Sequence, residues 1–548
     1  MKSRLKIFTA TLFAVCVDLA AQPTLVTNIQ GYHILPEQGL QSFSTLAFEN
    51  GKVLATGDKT LIGQYPGAWV VDGEGKTLLP GLIDAHGHLL GLGQNLLQVD
   101  LRGLTSARES VQKVNDYAAR NPQLEWIIGR GWNQVLWHDK QYPSARQLDE
   151  FLPDTPVWLE RIDGHAAWVN SKALAIAGIG KDTLDPPGGQ ILRDKEGNPT
   201  GVLIDNAMGL VADHLPETDS ASMQRALNEA SSHLLEQGIT SMHDAGIDHQ
   251  TYHFYLQQAE QQTLNIRIYA MIAASDPKLI QMLEKGPRRD KKDFLWIQSV
   301  KAYGDGALGS RGAAMLAPYS DDQDNKGLLV TAEQDLPELF RTVLKHGFQL
   351  NFHAIGDKSN RLALDHYAKA YEQVGGRSLR HRIEHAQVVS TDDIPRFKEL
   401  DIIASMQPVH ATSDKNMAED RIGKKRLEGA YAWKRFIDQG TVLAAGSDFP
   451  VELANPFHGL HAAVTRQDHE GEPPGGWQPE QKLTLEQALR AFTLDAAYAA
   501  HQEKILGNLE PGKWADFILI DRDIFNIPAG QIWQTKVLQT WVAGDQKR

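Results

Sequence analysis

Six residues at wide intervals have side chains that can ligate or polarise: His86, His88, Lys301, His353, His385 and Asp448. The first two lie in Asp84-Ala85-His86-Gly87-His88. In a strand, residues two apart point to the same side, so both imidazoles would face one point. Two converging imidazoles make a clamp for a metal ion. Each of the other four sits at or near the end of its own apolar run. Singly, such residues are ordinary. A histidine at a strand end often caps a loop, and a buried lysine is often salt-bridged. Six of them at matching heights point to a metal centre.

The elements that must position them are parallel strands. Eight apolar runs alternate with helical stretches over 82–88, 239–244, 265–272, 297–303, 349–353, 382–385, 402–407 and 442–448. Alternation of this kind predicts an α/β fold, a (β/α)8 TIM-like barrel, whose strands' C-terminal ends carry the active site. The interval after the first strand is too long for one helix, so 89–238 contains an insertion with strand-like pieces at 126–129 and 157–161. Placed over the barrel mouth, it would shape a pocket. Both chain ends are β-rich. Asn50-Gly51 marks a hairpin between two such runs. The ends are expected to pair into one small composite β-sandwich. The divisions are then 1–21 signal peptide, 22–80 sandwich, 81–506 barrel and 507–548 sandwich.

Composition excludes several classes. The 548 residues are 42% hydrophobic and 22% charged, which are globular values. A net charge of −13 with no basic stripe argues against nucleic acid as partner. Lys2, Arg4 and Lys6 followed by the apolar stretch Ile7 to Val17 predict an export signal and a periplasmic protein. No other segment is long enough to span a membrane, so the expected partner is a small molecule, with a homo-oligomer open. Cys16 is the single cysteine and lies in that signal. No thiol nucleophile or ligand would remain, and no Gly-x-Ser-x-Gly elbow follows a strand.

The chain resembles the amidohydrolase superfamily, and more narrowly its amidohydrolase-3, YtcJ-like branch, which includes N-substituted formamide deformylases. The resemblance rests on residues 79–88, on 301–312 from Lys301 to Gly312, on 351–357 from Asn351 to Asp357, on Arg382-Ile383-Glu384-His385-Ala386, on Gly446-Ser447-Asp448-Phe449-Pro450 and on 507–516. It implies that His86, His88 and Asp448 bind one divalent metal and that His353 and His385 bind a second. Lys301, as a carbamate, would bridge them. An unmodified Lys301, paired with a carboxylate such as Asp305, would leave a one-metal site. Zinc suits imidazole and carboxylate ligands. The implied reaction is cleavage of a C–N bond of amide or formamide type, with esters, lactones and cyclic amides as alternatives and a non-catalytic metal-containing binding protein as the alternative of another class. Asp448 would carry the proton, and His165 would polarise the carbonyl. Asp305, Arg311 and Trp132 are candidates for substrate contact. Trp137 could also line the pocket. His243, Asp244 and Glu384 are candidates for supporting the ligands.

Overall fold

A computed structural model describes residues 22–548 apart from 162–165, 187–188 and 217–218. The expected signal peptide and His165 lie outside the described residues. Eight parallel strands form the barrel: β1 (Leu82–Gly87), β2 (Ile239–Ile247), β3 (Arg267–Ala273), β4 (Leu295–Tyr303), β5 (Gln349–Ala354), β6 (Arg382–His385), β7 (Ile403–Met406) and β8 (Leu443–Ala445). They neighbour one another in chain order. A parallel bridge from Gly87 to Phe449 brings the segment after β8 beside β1. The amide of His88 donates to Phe449 O and that of Asp448 to His86 O, both at 2.8 Å.

These strands are covered on both faces, which is why they read as apolar runs rather than as alternating patterns. Every residue of β1 and β6 is buried. Helices supply the outer layer. Leu336–Lys345 buries Leu336, Phe340, Val343 and Leu344, one stripe at helical spacing. Leu89–Leu96 begins directly after His88 and packs on Ser220–Glu236. A Cβ at Gly93 would stand 1.9 Å from Ala226 O. Only glycine permits this approach, and it fixes the helix whose first turn follows a candidate ligand.

The insertion builds a six-stranded mixed sheet of its own, including Ile127–Trp132, Val157–Arg161 and Ala166–Val169. Trp132, Trp137 and Trp168 pack in its core with Val99, Leu148 and Leu159. The chain ends form two further sheets. One contains Thr24–Thr27, Thr45–Glu49, Lys52–Gly57 and Trp69–Asp72. In the other, Thr77–Pro80 pairs antiparallel with Phe517–Ile520, so the two ends share one sheet. Phe43, Leu46, Phe48, Phe517, Leu519 and Trp541 make one core between the sheets. The hairpin forms at Asn50 and Gly51, with φ of 52° and 75°, the left-handed pair that a two-residue turn requires. Among the described residues no helix is long and apolar enough to cross a membrane.

Candidate metal centre

His86, His88 and Asp448 converge at the barrel mouth. His86 Nε2 lies 3.6 Å from Asp448 Oδ1, and His88 Nε2 lies 3.2 Å from the same oxygen. The chain reaches this geometry through constrained backbone. Asp448 has φ 62° and His385 has φ 73°, a region that non-glycine residues rarely occupy. Such conformations persist where surroundings over-determine them. Here Asp84 does so. It accepts from Ser447 Oγ at 2.7 Å, from Ser447 N at 3.1 Å and from His86 N at 3.1 Å. One buried carboxylate therefore ties the strand that carries two histidines to the turn that carries Asp448. A Cβ at Gly446 would meet Asp84 Oδ1 and His86 N, each at 2.6 Å, so that turn also needs glycine.

The second tier of contacts sets the chemistry of the ligands. His86 Nδ1 lies 2.5 Å from Glu384 Oε2. Burial pushes the Glu384 carboxyl up, but Arg382, His86 and Lys301 outweigh it and hold it at about 2. A carboxylate only accepts, so His86 donates from Nδ1 and turns its Nε2 lone pair towards Asp448. Arg382 is held in turn by Asn351 Oδ1 at 3.0 Å and His243 Nδ1 at 3.0 Å. His385 is oriented the same way, its Nδ1 lying 2.7 Å from Gln407 Oε1. Burial, then the neighbouring Lys301 and His86, lowers His353 to about 3. Burial, then His353 and His86, takes His385 well below the usual imidazole range. The His353 and His385 imidazoles are thus neutral, the form that binds metal. Burial disfavours a charge on Asp448, yet His88 beside it, and the positive charge that His86, His385 or His410 would gain with a proton, hold its pKa well below the usual range. It is ionised.

Buried polar atoms nearly always find a partner. Among the described residues, His353 Nε2 and His410 Nε2 have none, and Asp448 Oδ1 faces two imidazoles without a well-angled hydrogen bond. Nitrogen and oxygen lone pairs left this way around one point suit a divalent cation. Two groups have ligand atoms close enough to share an ion: His86, His88 and Asp448, and His385, His410 and Asp448. The family model described as the amidohydrolase family matches residues 69–546.

The chain belongs to the amidohydrolase family. Protein LONG AFTER FAR-RED 3 of Arabidopsis thaliana is 36% identical over 95% of this chain and 91% of its own length. The N-substituted formamide deformylase of Arthrobacter pascens is 25% identical over 90% of this chain and 93% of its own. The crystal structure of an uncharacterized metal-dependent hydrolase from Pyrococcus furiosus superposes with a TM-score of 0.75 at 29% identity, covering 91% of this chain and 99% of that one. This amidohydrolase is therefore a hydrolase of the metal-dependent kind, with a barrel to match.

Within it, the expected ligands occupy one place. Lys301 Nζ lies 3.1 Å from His86 Nε2, and burial lowers its pKa to about 8. The His353 and His385 rings are 4.5 Å apart. Other expected residues have different work. Asp305 accepts from the amides of Ala314, Ile355 and Gly356 at 2.8–3.0 Å, which fixes the loops around His353; its own distance to His353 Nε2 is 3.8 Å. Arg311 does not reach the cluster. It pairs with Asp321, Nη2 to Oδ2 at 2.9 Å, an ion pair at the edge. Trp132 is buried in the insertion core and donates from Nε1 to Leu159 O at 2.8 Å. Trp137 is buried in the same core. Asp244 accepts from Leu89 N and Tyr255 Oη and so supports the helix after His88.

His410 is absent from the sequence-based set. It follows β7 in the first turn of the helix Pro408–Asp414. The rule of paired positions in a strand cannot find it, because Pro408 has already started a helix. The usable signal was Gln407-Pro408, a strand end followed at once by a helix start.

Proposed function

We propose that this amidohydrolase cleaves a C–N bond of amide or formamide type in a small molecule, by attack of water at the carbonyl. The observation that carries this reading is Asp448: ionised, buried, and facing imidazoles on several sides. The similarity to an enzyme named N-substituted formamide deformylase supports the bond type. His86, His88 and Asp448 would hold a divalent ion, and zinc suits these ligands. When bound, such an ion acidifies water and polarises a carbonyl oxygen.

The chain's own groups do the rest. Asp448 accepts the proton that the attacking water loses and delivers it to the nitrogen that leaves. Amines leave poorly unless protonated, so one carboxylate serves both as base and as acid. Glu384 fixes the tautomer of His86 throughout. Lys301 is proposed to be carbamylated. Its pKa of about 8 leaves some neutral amine near pH 7. That amine adds to carbon dioxide, forming an N–C bond and releasing one proton, and exposes two anionic oxygens to a cation. A mass increase of the native chain in bicarbonate, absent from Lys301→Met, would reveal it.

The test is hydrolysis of a panel of N-formyl and N-acyl amines, lactams, lactones and esters. Amine release that falls by roughly 10²–10⁴-fold in Asp448→Asn is expected. Turnover of esters or lactones alone would contradict the C–N assignment.

A further inference from the structure

We propose that Tyr303 is a catalytic residue, its Oη donating to the carbonyl oxygen of the substrate as that oxygen gains negative charge. The proposal rests on the hydrolysis reading above and adds a donor that the chain itself aims at the reacting carbonyl.

Tyr303 closes β4 two residues after Lys301, so both side chains leave the same face of the strand. Lys301 is buried and Tyr303, one layer higher, is half-buried, which places the phenol where the barrel interior meets solvent. A group that a substrate must reach cannot be fully enclosed. Across the sheet Tyr303 pairs with His353, and the two rings lie 5.3 Å apart with their planes at 39°. Lys301 Nζ stands 4.8 Å from the centre of the phenol ring. The ring therefore packs against two of the groups expected at the metal centre.

The hydroxyl end spans from β4 to the end of β2, with β3 between them in the sheet. A Cβ at Gly246 would stand 3.6 Å from Tyr303 Oη and 3.7 Å from Lys301 Cγ. Gly246 has φ 101°, a conformation open to glycine, so no side chain comes between. The strand end that carries the ring is fixed. Thr331 Oγ1 donates to Tyr303 O at 2.5 Å, and Gly304 N to His353 O at 2.9 Å.

What sets this phenol apart is its free donor. Tyr255, Tyr319, Tyr367 and Tyr431 donate from Oη to Asp244, Ala313 O, Leu350 O and Asp414 at 2.6–2.9 Å. Among the described residues Tyr303 Oη has no such partner. Burial, then the Asp448 and Glu384 carboxylates, raise its pKa, so the hydroxyl keeps its proton to donate. A donor held in place before reaction stabilises a developing oxyanion more than a neutral carbonyl.

The experiment compares wild type with Tyr303→Phe on whichever member of the N-formyl, N-acyl, lactam, lactone and ester panel turns over fastest. The substitution removes Oη and keeps the ring against His353. A fall in kcat of roughly 10²–10³-fold, with KM, zinc content and melting temperature unchanged, is expected. A phosphonate or phosphonamidate copy of the tetrahedral state should lose affinity by the same factor as kcat/KM, while the released product binds as before. An unchanged kcat would overturn the proposal. So would a raised KM at constant kcat, which would make Oη a ground-state contact only. Lost zinc or lost folding in Tyr303→Phe would assign the residue to the support of Lys301 and His353 and overturn it too. Turnover of esters or lactones alone would overturn the C–N assignment and not this proposal, which the same comparison then tests on those substrates. Turnover of nothing would overturn both.

Discussion

The barrel buries charge at both ends, in opposite ways. At the foot, Arg267 opens β3 and meets Asp516 from the C-terminal segment, with Nε to Oδ2 at 2.6 Å and Nη2 to Oδ1 at 2.9 Å. Its Nη1 donates to Lys292 O and Asp293 O, and its guanidinium lies over Phe294 and Trp514. Charge there is paired within the protein, and its effect is to clamp the terminal sheets to the barrel. At the mouth, Asp448 is as deeply buried and His353 and His410 are largely covered, yet all three are incompletely paired. Burial without pairing is costly. The contrast separates buried charge that serves architecture from buried charge that suits the proposed cation.

That contrast can be broken by variants at either end. The largest effect belongs to the mouth, where Asp448→Asn should remove the proposed proton carrier and leave melting behaviour near wild type. Arg267→Met should do the reverse. Leaving Asp516 buried without its partner should cost about 3–5 kcal/mol of stability. Zinc content of the folded fraction should not change, and a loss of metal there would erase the distinction. Glu384→Gln is a smaller test. It weakens the anchor of His86 and should reduce metal affinity by roughly 10–100-fold, read by competition with a chelator. Unchanged affinity would show that Glu384 serves only Arg382.

The foot also predicts a pH effect. His381 is fully buried, accepts from Leu350 N at 2.9 Å and lies 3.0 Å from Gly376 O. Burial lowers its pKa to about 3. In the unfolded chain the imidazole titrates near ~6.5. Between those values the unfolded state takes a proton that the folded state refuses, so stability is full above pH ~6.5 and is lost as pH falls towards 3. His381→Asn, which keeps an acceptor for Leu350, should flatten this dependence in denaturation curves. An unchanged slope would assign acid sensitivity elsewhere.

Much of this was legible in the residues. Parallel strands buried on both faces must be continuous apolar runs, so all eight barrel strands stood out, and their polar ends marked the mouth. Asn50-Gly51 declared its hairpin because few other pairs tolerate left-handed backbone twice. What escaped depended on three-dimensional partners. Trp132 reads equally as pocket or core until Leu159 is seen to accept its Nε1 hydrogen. Arg311 reads as an anion contact until Asp321 is found beside it. Glu384 and Arg382 show charge in a strand, but only the fold shows that they set the tautomer of His86. His410 lies past a strand end, where periodicity stops and side-chain direction cannot be inferred.

The most direct test of the central claim is metal retention at the mouth. Purified chain, loaded with zinc and dialysed, should keep at least one equivalent, and His86→Asn/His88→Asn should keep at least one fewer while remaining folded. Equal zinc in both proteins, or none in wild type, would contradict the claim that these histidines and Asp448 form a metal centre.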